Sequence, residues 1–266
     1  MFASENYGEN EAMLAPRPTT GLVDLHCHLL PGTDDGARDL ADAVQMANQA
    51  AGDGIAAICA TPHIRADHAV RIDELPTRRA ELRAALRSAG CATRVLPGGE
   101  VAAGMVDALD DHELASVTLG GSGLWILLEP DPGPLDERLE AAVHALRVRG
   151  FRALIAHPER HLAPDLVVAL GRLVAAGALV QATAAYFTDD STRPGMLTLV
   201  RAGLIHVLGS DAHSSRVGRR VEIASSLDVL AATEPAATHL RWVAQTAPWG
   251  IVRGRDLVSP FRPADP

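Results

Sequence analysis

The stretch Val23-Asp24-Leu25-His26-Cys27-His28 begins apolar and ends in two histidines one residue apart. On a β-strand, residues i and i+2 share a face, so His26 and His28 would project side by side at the strand's end. Two imidazoles so placed are what a divalent ion takes from histidine. Alone, such a pair is more often incidental. This chain repeats the arrangement. His63, Glu100, Glu129, His157, Asp211 and His213 each lie at or just past the end of an apolar run. Any one of them reads as a solvated loop residue. Together they place nitrogen and oxygen ligands at the ends of six predicted strands. Imidazole with carboxylate, without a thiolate set, suits zinc, manganese or iron. So many ligands exceed the needs of one ion, and two or three ions sharing a bridging carboxylate are expected. Clustered ions match phosphate-ester hydrolysis, in which they activate water and steady the attacking and leaving oxygens.

The elements that position these residues follow from periodicity and punctuation. Apolar runs predict strands over 23–28, 55–60, 92–96, 124–128, 152–156, 179–182 and 205–209. Between them, helices are predicted over 39–52, 72–89, 135–149, 164–176 and 196–202, several ended by glycine. In the first helix, Leu40, Val44 and Ala47 are expected on the buried face. Seven alternating strand–helix units imply an α/β fold with a parallel sheet closed into a barrel. In such a barrel the C-terminal strand ends meet at one mouth, where active sites sit. Residues 1–20 are polar and aperiodic, and read as a disordered or loosely docked tail ahead of a single domain over 21–266.

Composition excludes several classes. The formal charge of −9 argues against nucleic acid as a partner. No run approaches the roughly 18 apolar residues of a membrane span, and no secretory signal is evident. Three scattered cysteines do not suggest a disulfide scaffold, so a cytoplasmic home is expected. Lysine is absent. That excludes the metal-dependent amidohydrolases that bridge two ions with a carbamylated lysine, although versions with a bridging carboxylate stay open.

With these residues in place, the chain resembles the polymerase and histidinol phosphatase (PHP) superfamily. The motifs are H-x-H at the first strand, Thr61-Pro62-His63, Gly98-x-Glu100, Ala156-His157-Pro158-Glu159-Arg160 and Ser210-Asp211-Ala212-His213. The loop from His28 to Gly36 narrows the likeness to the manganese-dependent bacterial tyrosine-protein phosphatases of capsule and exopolysaccharide systems. The resemblance implies a distorted seven-stranded (β/α)7 barrel with three divalent ions, manganese first, with zinc or iron as alternatives. It implies that His26, His28, Glu100 and Asp211 hold one ion. Glu100 would bridge to a second ion, held also by Glu129 and His157, and Asp35, His63 and His213 would hold the third. Arg160 would bind the substrate phosphate. The family uses a second arginine after S-D-A-H. Arg216, Arg219 and Arg220 compete for that role here, with Arg219 preferred by position. Ile64 stands where the family often has a second histidine, and His68 lies further on. The implied substrate is a phosphotyrosine protein, with a bacterial tyrosine kinase among the candidate partners. The implied reaction is in-line attack by metal-bound hydroxide.

Four other readings are open. Cys59 to Arg65 matches the C-x5-R spacing of cysteine-dependent tyrosine phosphatases. Pro62, however, offers no N–H to a phosphate, and a thiol in a buried strand is inert. A histidinol-phosphate or other small-molecule phosphatase of the same superfamily is closer. A metal-dependent amidohydrolase and a metal-stabilised regulatory scaffold complete the set.

Overall fold

The computed structural model of the chain describes residues 21–161 and 163–261. The tail expected over 1–20 lies outside them. Among the described residues, nine parallel strands alternate with helices except at two points where one strand follows another directly, against the seven strands that the apolar runs predict. In chain order they are β1 (Leu22–Cys27), α1 (Leu40–Gly52), β2 (Ile55–Ala60), β3 (His63–Ile64), α2 (Leu75–Ser88), β4 (Arg94–Leu96), β5 (Glu100–Ala102), α3 (Asp111–Ser116), β6 (Trp125–Glu129), α4 (Glu137–Val148), β7 (Arg152–Ala156), α5 (Leu166–Ala175), β8 (Leu179–Thr183), α6 (Ala185–Thr188), α7 (Arg193–Arg201), β9 (Val207–Gly209), α8 (Ala224–Ala231) and α9 (Ala247–Ile251).

The strands form two sheets, β1-β2-β4 and β3-β5-β6-β7-β8-β9. This differs from the single ring of seven that the sequence suggests, and proline is the reason. Pro62 separates β2 from β3, and Pro97-Gly98-Gly99 separates β4 from β5. A proline supplies no N–H to a ladder, so each run breaks there and restarts in the second sheet. Glu100 therefore opens a strand rather than trailing one. The sheets are joined at their ends. The Thr61 N–H donates to the Cys27 carbonyl (3.0 Å), that of Glu100 to Pro62 (2.9 Å), and that of Asp211 to His26 (2.8 Å).

Side chains sort into two apolar clusters. On the helix-facing side, Ile58, Leu128, Ile155 and Val180 pack against Met46, Leu82, Leu146 and Leu170. On the side the major helices leave free, Val23, Leu25, Cys59, Leu127, Leu154, Leu179 and Val207 meet, and Trp249 and Ile251 of α9 join them. The C-terminal segment, to which the sequence assigned no chemistry, thus packs at the strands' N-terminal ends. Trp249 Nε1 donates to the Gly21 carbonyl (3.1 Å) and Trp125 Nε1 to that of Arg255 (2.9 Å). On α1 the buried face is Ala43, Met46, Ala47 and Ala50, one step round from the expected stripe; Leu40 is 45 % exposed. Among the described residues, no helix is long and apolar enough to cross a membrane.

Strand β1 carries the irregularity that matters for chemistry. Strict alternation would put Val23, Leu25 and Cys27 on one face. Instead Val23 and Leu25 join the helix-free cluster while Cys27 joins the helix-facing one. The register explains it. Asp24 pairs with Ile58 and Cys27 with Ala60, so β1 spends one residue more than β2 over this interval, as in a β-bulge. The Asp24 carboxylate holds the bulge by accepting from the His26 N–H (3.1 Å). The bulge turns His26 and His28 onto the helix-free face, above Leu25.

Candidate metal centre

The ligand-type residues meet as the sequence predicts. Nε2 of His26 and of His28 are 3.2 Å apart. Two nitrogens about 2.1 Å from one ion would stand about 3.0–3.4 Å apart at octahedral to tetrahedral angles. Asp211 Oδ1 lies 3.5 Å from His26 Nε2 and 3.7 Å from that of His28. Glu100 is central. Its Oε1 lies 2.8 Å from His157 Nε2 and 3.3 Å from His26 Nε2, and its Oε2 lies 3.0 Å from His63 Nδ1 and 3.3 Å from His28 Nε2. Glu129 Oε2 is 3.6 Å from His63 Nδ1. Asp35 Oδ1 is 3.6 Å from Nε2 of both His63 and His213.

Four overlapping groups bring their ligand atoms within 4.8 Å of one another: His28/Asp35/His63/His213, His26/His28/Asp211, His26/Glu100/His157 and His63/Glu100/Glu129. All nine expected ligands appear in them. The grouping differs from the implied one: Glu100 stands outside the His26/His28/Asp211 group and instead joins His26 with His157 and His63 with Glu129. Glu129 sits with His63 rather than with His157, and His28 faces the outer group as well as the inner one.

These residues fit divalent cations. Glu100 Oε2, Glu129 Oε2 and Asp211 Oδ1 are buried acceptors that no well-directed hydrogen bond serves among the described residues; histidine nitrogens stand near them, at 3.0–3.7 Å. Buried acceptors left so are strongly disfavoured unless a cation serves them. Protons fill part of that need in the bare protein. Burial opposes charge on His28, but hydrogen bonds to Asp34 and Glu100 outweigh it and raise His28 to about 9. Burial is likewise outweighed at His63, where Glu100 and Glu129 raise it to about 9. Burial and the charge of His28 push His213 down to about 3. Two of the candidate ligands also sit in the left-handed backbone region that non-glycine residues avoid: His157 at φ 30° and Asp211 at φ 50°. Each such conformation costs on the order of 1–3 kcal/mol and tends to mark functional sites.

A cavity of about 560 Å³ opens above the cluster, lined by Asp35, His63, Arg65, His68, Glu129, Arg160, His213, Val217, Gly218 and Arg219. Arg160 pairs with Asp211 Oδ2. Arg219 reaches the same oxygen at 3.1 Å and donates from Nε to the Asp211 carbonyl at 2.8 Å. The competing arginines separate here. Arg216 is exposed, is not among the residues lining this cavity, and its charge acts on Asp39. Arg220 pairs with Glu222 at 2.5 Å and lines a neighbouring cavity. Cys59 is buried, and burial raises its thiol to about 12, so it offers no thiolate. Arg65 of the C-x5-R string turns to Glu129 (2.9 Å) instead.

Sequence reasoning missed Arg65 as a mouth residue, and it missed the residues behind the ligands. His28 Nδ1 donates to Asp34 Oδ2 at 2.8 Å. Burial works against the Asp34 charge, but the His28 hydrogen bond outweighs it and holds Asp34 at about 2. His26 Nδ1 donates to Gln181 Oε1 at 2.9 Å. Asp24 accepts from the Ser210 N–H and hydroxyl at 3.0 and 2.5 Å. The signals were faint: one acidic residue beside Asp35 in a loop, and single polar residues in apolar strands.

A parallel α/β fold with histidines and carboxylates gathered at its strand ends defines a class of metal-centred proteins. Within that class, the chain belongs to the CpsB/CapC family of capsular polysaccharide synthesis, whose model matches residues 22–238. It is 33 % identical over 201 residues to the tyrosine-protein phosphatase YwqE of Bacillus subtilis, covering 73 % of this chain and 78 % of that one. It is 26 % identical over 200 residues to the putative tyrosine-protein phosphatase CapC of Staphylococcus aureus, covering 73 % and 77 %. A solved structure from work on YwqE and on CpsB of Streptococcus pneumoniae, described as unique metal-dependent tyrosine phosphatases, superposes with a TM-score of 0.77. It shows 29 % identity and covers 92 % of this chain and all of that one. A dihydropyrimidinase from Brevibacillus agri shares the fold alone, with a TM-score of 0.53 at 11 % identity, over 93 % of this chain and 74 % of that one.

Proposed function

We propose that this chain is a metal-dependent protein-tyrosine phosphatase. The observation that carries the reading is the pairing of a nine-ligand His/carboxylate cluster with Arg160 and Arg219 at one open mouth. The likeness to YwqE and to the CpsB-type structure supports the substrate class. His26, His28, Asp35, His63, Glu100, Glu129, His157, Asp211 and His213 would hold the ions, and Glu100, with both oxygens facing histidines, would be shared. We read three manganese ions, because His26, His28, His63 and Glu100 each serve two groups and four separate ions would exceed the ligands. Bound there, divalent ions supply Lewis acidity, which activates water and offsets the charge developing on phosphate.

The chain's own part is positioning. Arg160 and Arg219 converge on Asp211 from the cavity side, so their remaining N–H groups form a fork for phosphate oxygens. The mouth is open, which suits a tyrosine displayed on a protein. Pairing β2 with β3 and β4 with β5 as interrupted strands gives seven, and the Cys27–Ala212 bridge brings β1 beside β9. This supports a distorted (β/α)7 barrel as one domain over 21–266. The cysteines are free, which suits the cytoplasm, where a tyrosine kinase is the natural partner.

Steady-state turnover of a phosphotyrosine peptide, a phosphoserine peptide and histidinol phosphate by the manganese-loaded full chain tests the reading. We expect preference for phosphotyrosine, and loss of about 100-fold or more in kcat/KM in Arg160→Ala, the usual scale for removing one transition-state donor. Preference for histidinol phosphate would move the chain to the small-molecule branch of the superfamily.

A further inference from the structure

The two histidines of the H-x-H pair are ligands of the same type with unlike holders. His28 Nδ1 donates to a carboxylate, Asp34, at 2.8 Å. His26 Nδ1 donates to a neutral amide, Gln181 Oε1, at 2.9 Å. Gln181 belongs to β8, yet it reaches β1 across β9. It can do so because the residue between is Gly209. A Cβ there would stand 2.8 Å from His26 Cβ and 2.9 Å from Gln181 Nε2. Glycine is thus required here by close approach rather than by φ. The amide is fully buried, and its Nε2 has no acceptor among the described residues. A core glutamine kept for packing or to satisfy backbone would not leave half of its amide unpaired. Among the described residues, the one hydrogen bond of this side-chain amide is the one to His26.

We infer that Gln181, acting through the Gly209 window, is a positioning residue that fixes His26 as the Nδ1–H tautomer and turns its Nε2 toward Glu100 and Asp211. The inference rests on the metal-centre reading above and adds a residue outside the nine ligands. A ligating histidine is oriented by whatever accepts its second N–H, and losing that acceptor typically costs 10–100-fold in metal affinity. With an amide here and a carboxylate at His28, the two histidines of one pair are held by acceptors of unlike charge.

Manganese titration of the metal-free full chain, with bound ions counted by elemental analysis, tests this without reference to turnover. Gln181→Leu keeps the volume and removes the acceptor. Gln181→Glu keeps an acceptor oxygen at the same reach. We expect manganese affinity to fall 10–100-fold in Gln181→Leu, and to return to at least the wild-type value in Gln181→Glu. The metal-free melting temperature should be the same in both. Wild-type affinity in Gln181→Leu would overturn the inference. So would equal losses in both variants, or a lost metal-free fold in Gln181→Leu, since each marks Gln181 as a packing residue. A wild-type chain that binds no manganese, zinc or iron would overturn the metal-centre reading itself.

Discussion

Glu100 shows what the site asks of a single side chain. It is fully buried, and burial alone would push its carboxyl up. The charge of His26 and hydrogen bonds from His157, His26 and His28 hold it well below the ordinary carboxylate range. It stays an anion, facing four imidazoles, which is what a bridging ligand has to be. Arg160 and Arg219 are the cationic counterpart, both engaged on Asp211. Arg219→Ala should therefore lower kcat/KM for an aryl phosphate by about 100-fold. Arg216→Ala, in an exposed residue outside the cavity, should stay within about twofold. Equal losses would return the phosphate site to the loop as a whole. Eight of the nine candidate ligands were legible in the sequence because each stands next to a predicted strand end and is chemically unlike the apolar run before it; Asp35, in the loop after β1, entered only through the family resemblance. Gln181, Asp34 and Asp24 were not. An outer residue is defined by what it touches across strands, and spacing along the chain does not carry that.

At the scale of the element, seven predicted runs correspond to strands, and β7 was delimited to the residue, Arg152–Ala156. The misses share one cause. Strand prediction reads apolar runs, whereas sheet membership depends on which N–H groups can pair. Pro62 and Pro97 moved β3 and β5 into the second sheet, and three residues were too short a run to announce β5. The β1 bulge was equally hidden, because H-x-H gives the same i, i+2 geometry with or without it. What it changes is which face the pair shares. Asp24 ties the bulge to Ser210 beyond β9, accepting from the His26 N–H and from the Ser210 N–H and hydroxyl. Asp24→Ala leaves the His26 and Ser210 N–H groups buried and unpaired, at about 1–3 kcal/mol for each unsatisfied group, while the Ser210 hydroxyl keeps the His26 carbonyl at 3.2 Å. We expect urea unfolding of the metal-free protein to show a loss of about 3 kcal/mol, with Asp24→Asn losing less because it keeps an acceptor. An unchanged midpoint for Asp24→Ala would mean that the seam holds without the carboxylate.

Taken whole, the molecule is acidic but concentrates arginine where an anion would enter, with Arg65, Arg160 and Arg219 at one cavity. Its stability should carry a pH signature from the opposite situation. His206 is buried between Trp242 and Phe261, accepts from the Val180 N–H at 3.1 Å, and is lowered by burial to about 3. The unfolded chain takes up that proton near the ordinary histidine value of about 6.5. Stability is thus unaffected above about 6.5 and falls as pH drops from there toward 3, by up to about 1.4 kcal/mol per pH unit from this one group. His206→Gln cannot charge. It should flatten the loss measured in urea between pH 6.5 and 4.5, and an unchanged slope would place the acid sensitivity elsewhere. The central claim, that the cluster at the mouth is a catalytic metal centre, is met most directly by hydrolysis of p-nitrophenyl phosphate before and after chelation, with manganese added back. His157→Ala and Cys59→Ser belong beside the wild type. Activity that disappears with chelator and in His157→Ala, returns with manganese and persists in Cys59→Ser is the predicted result. Activity that survives chelation and dies in Cys59→Ser would contradict it.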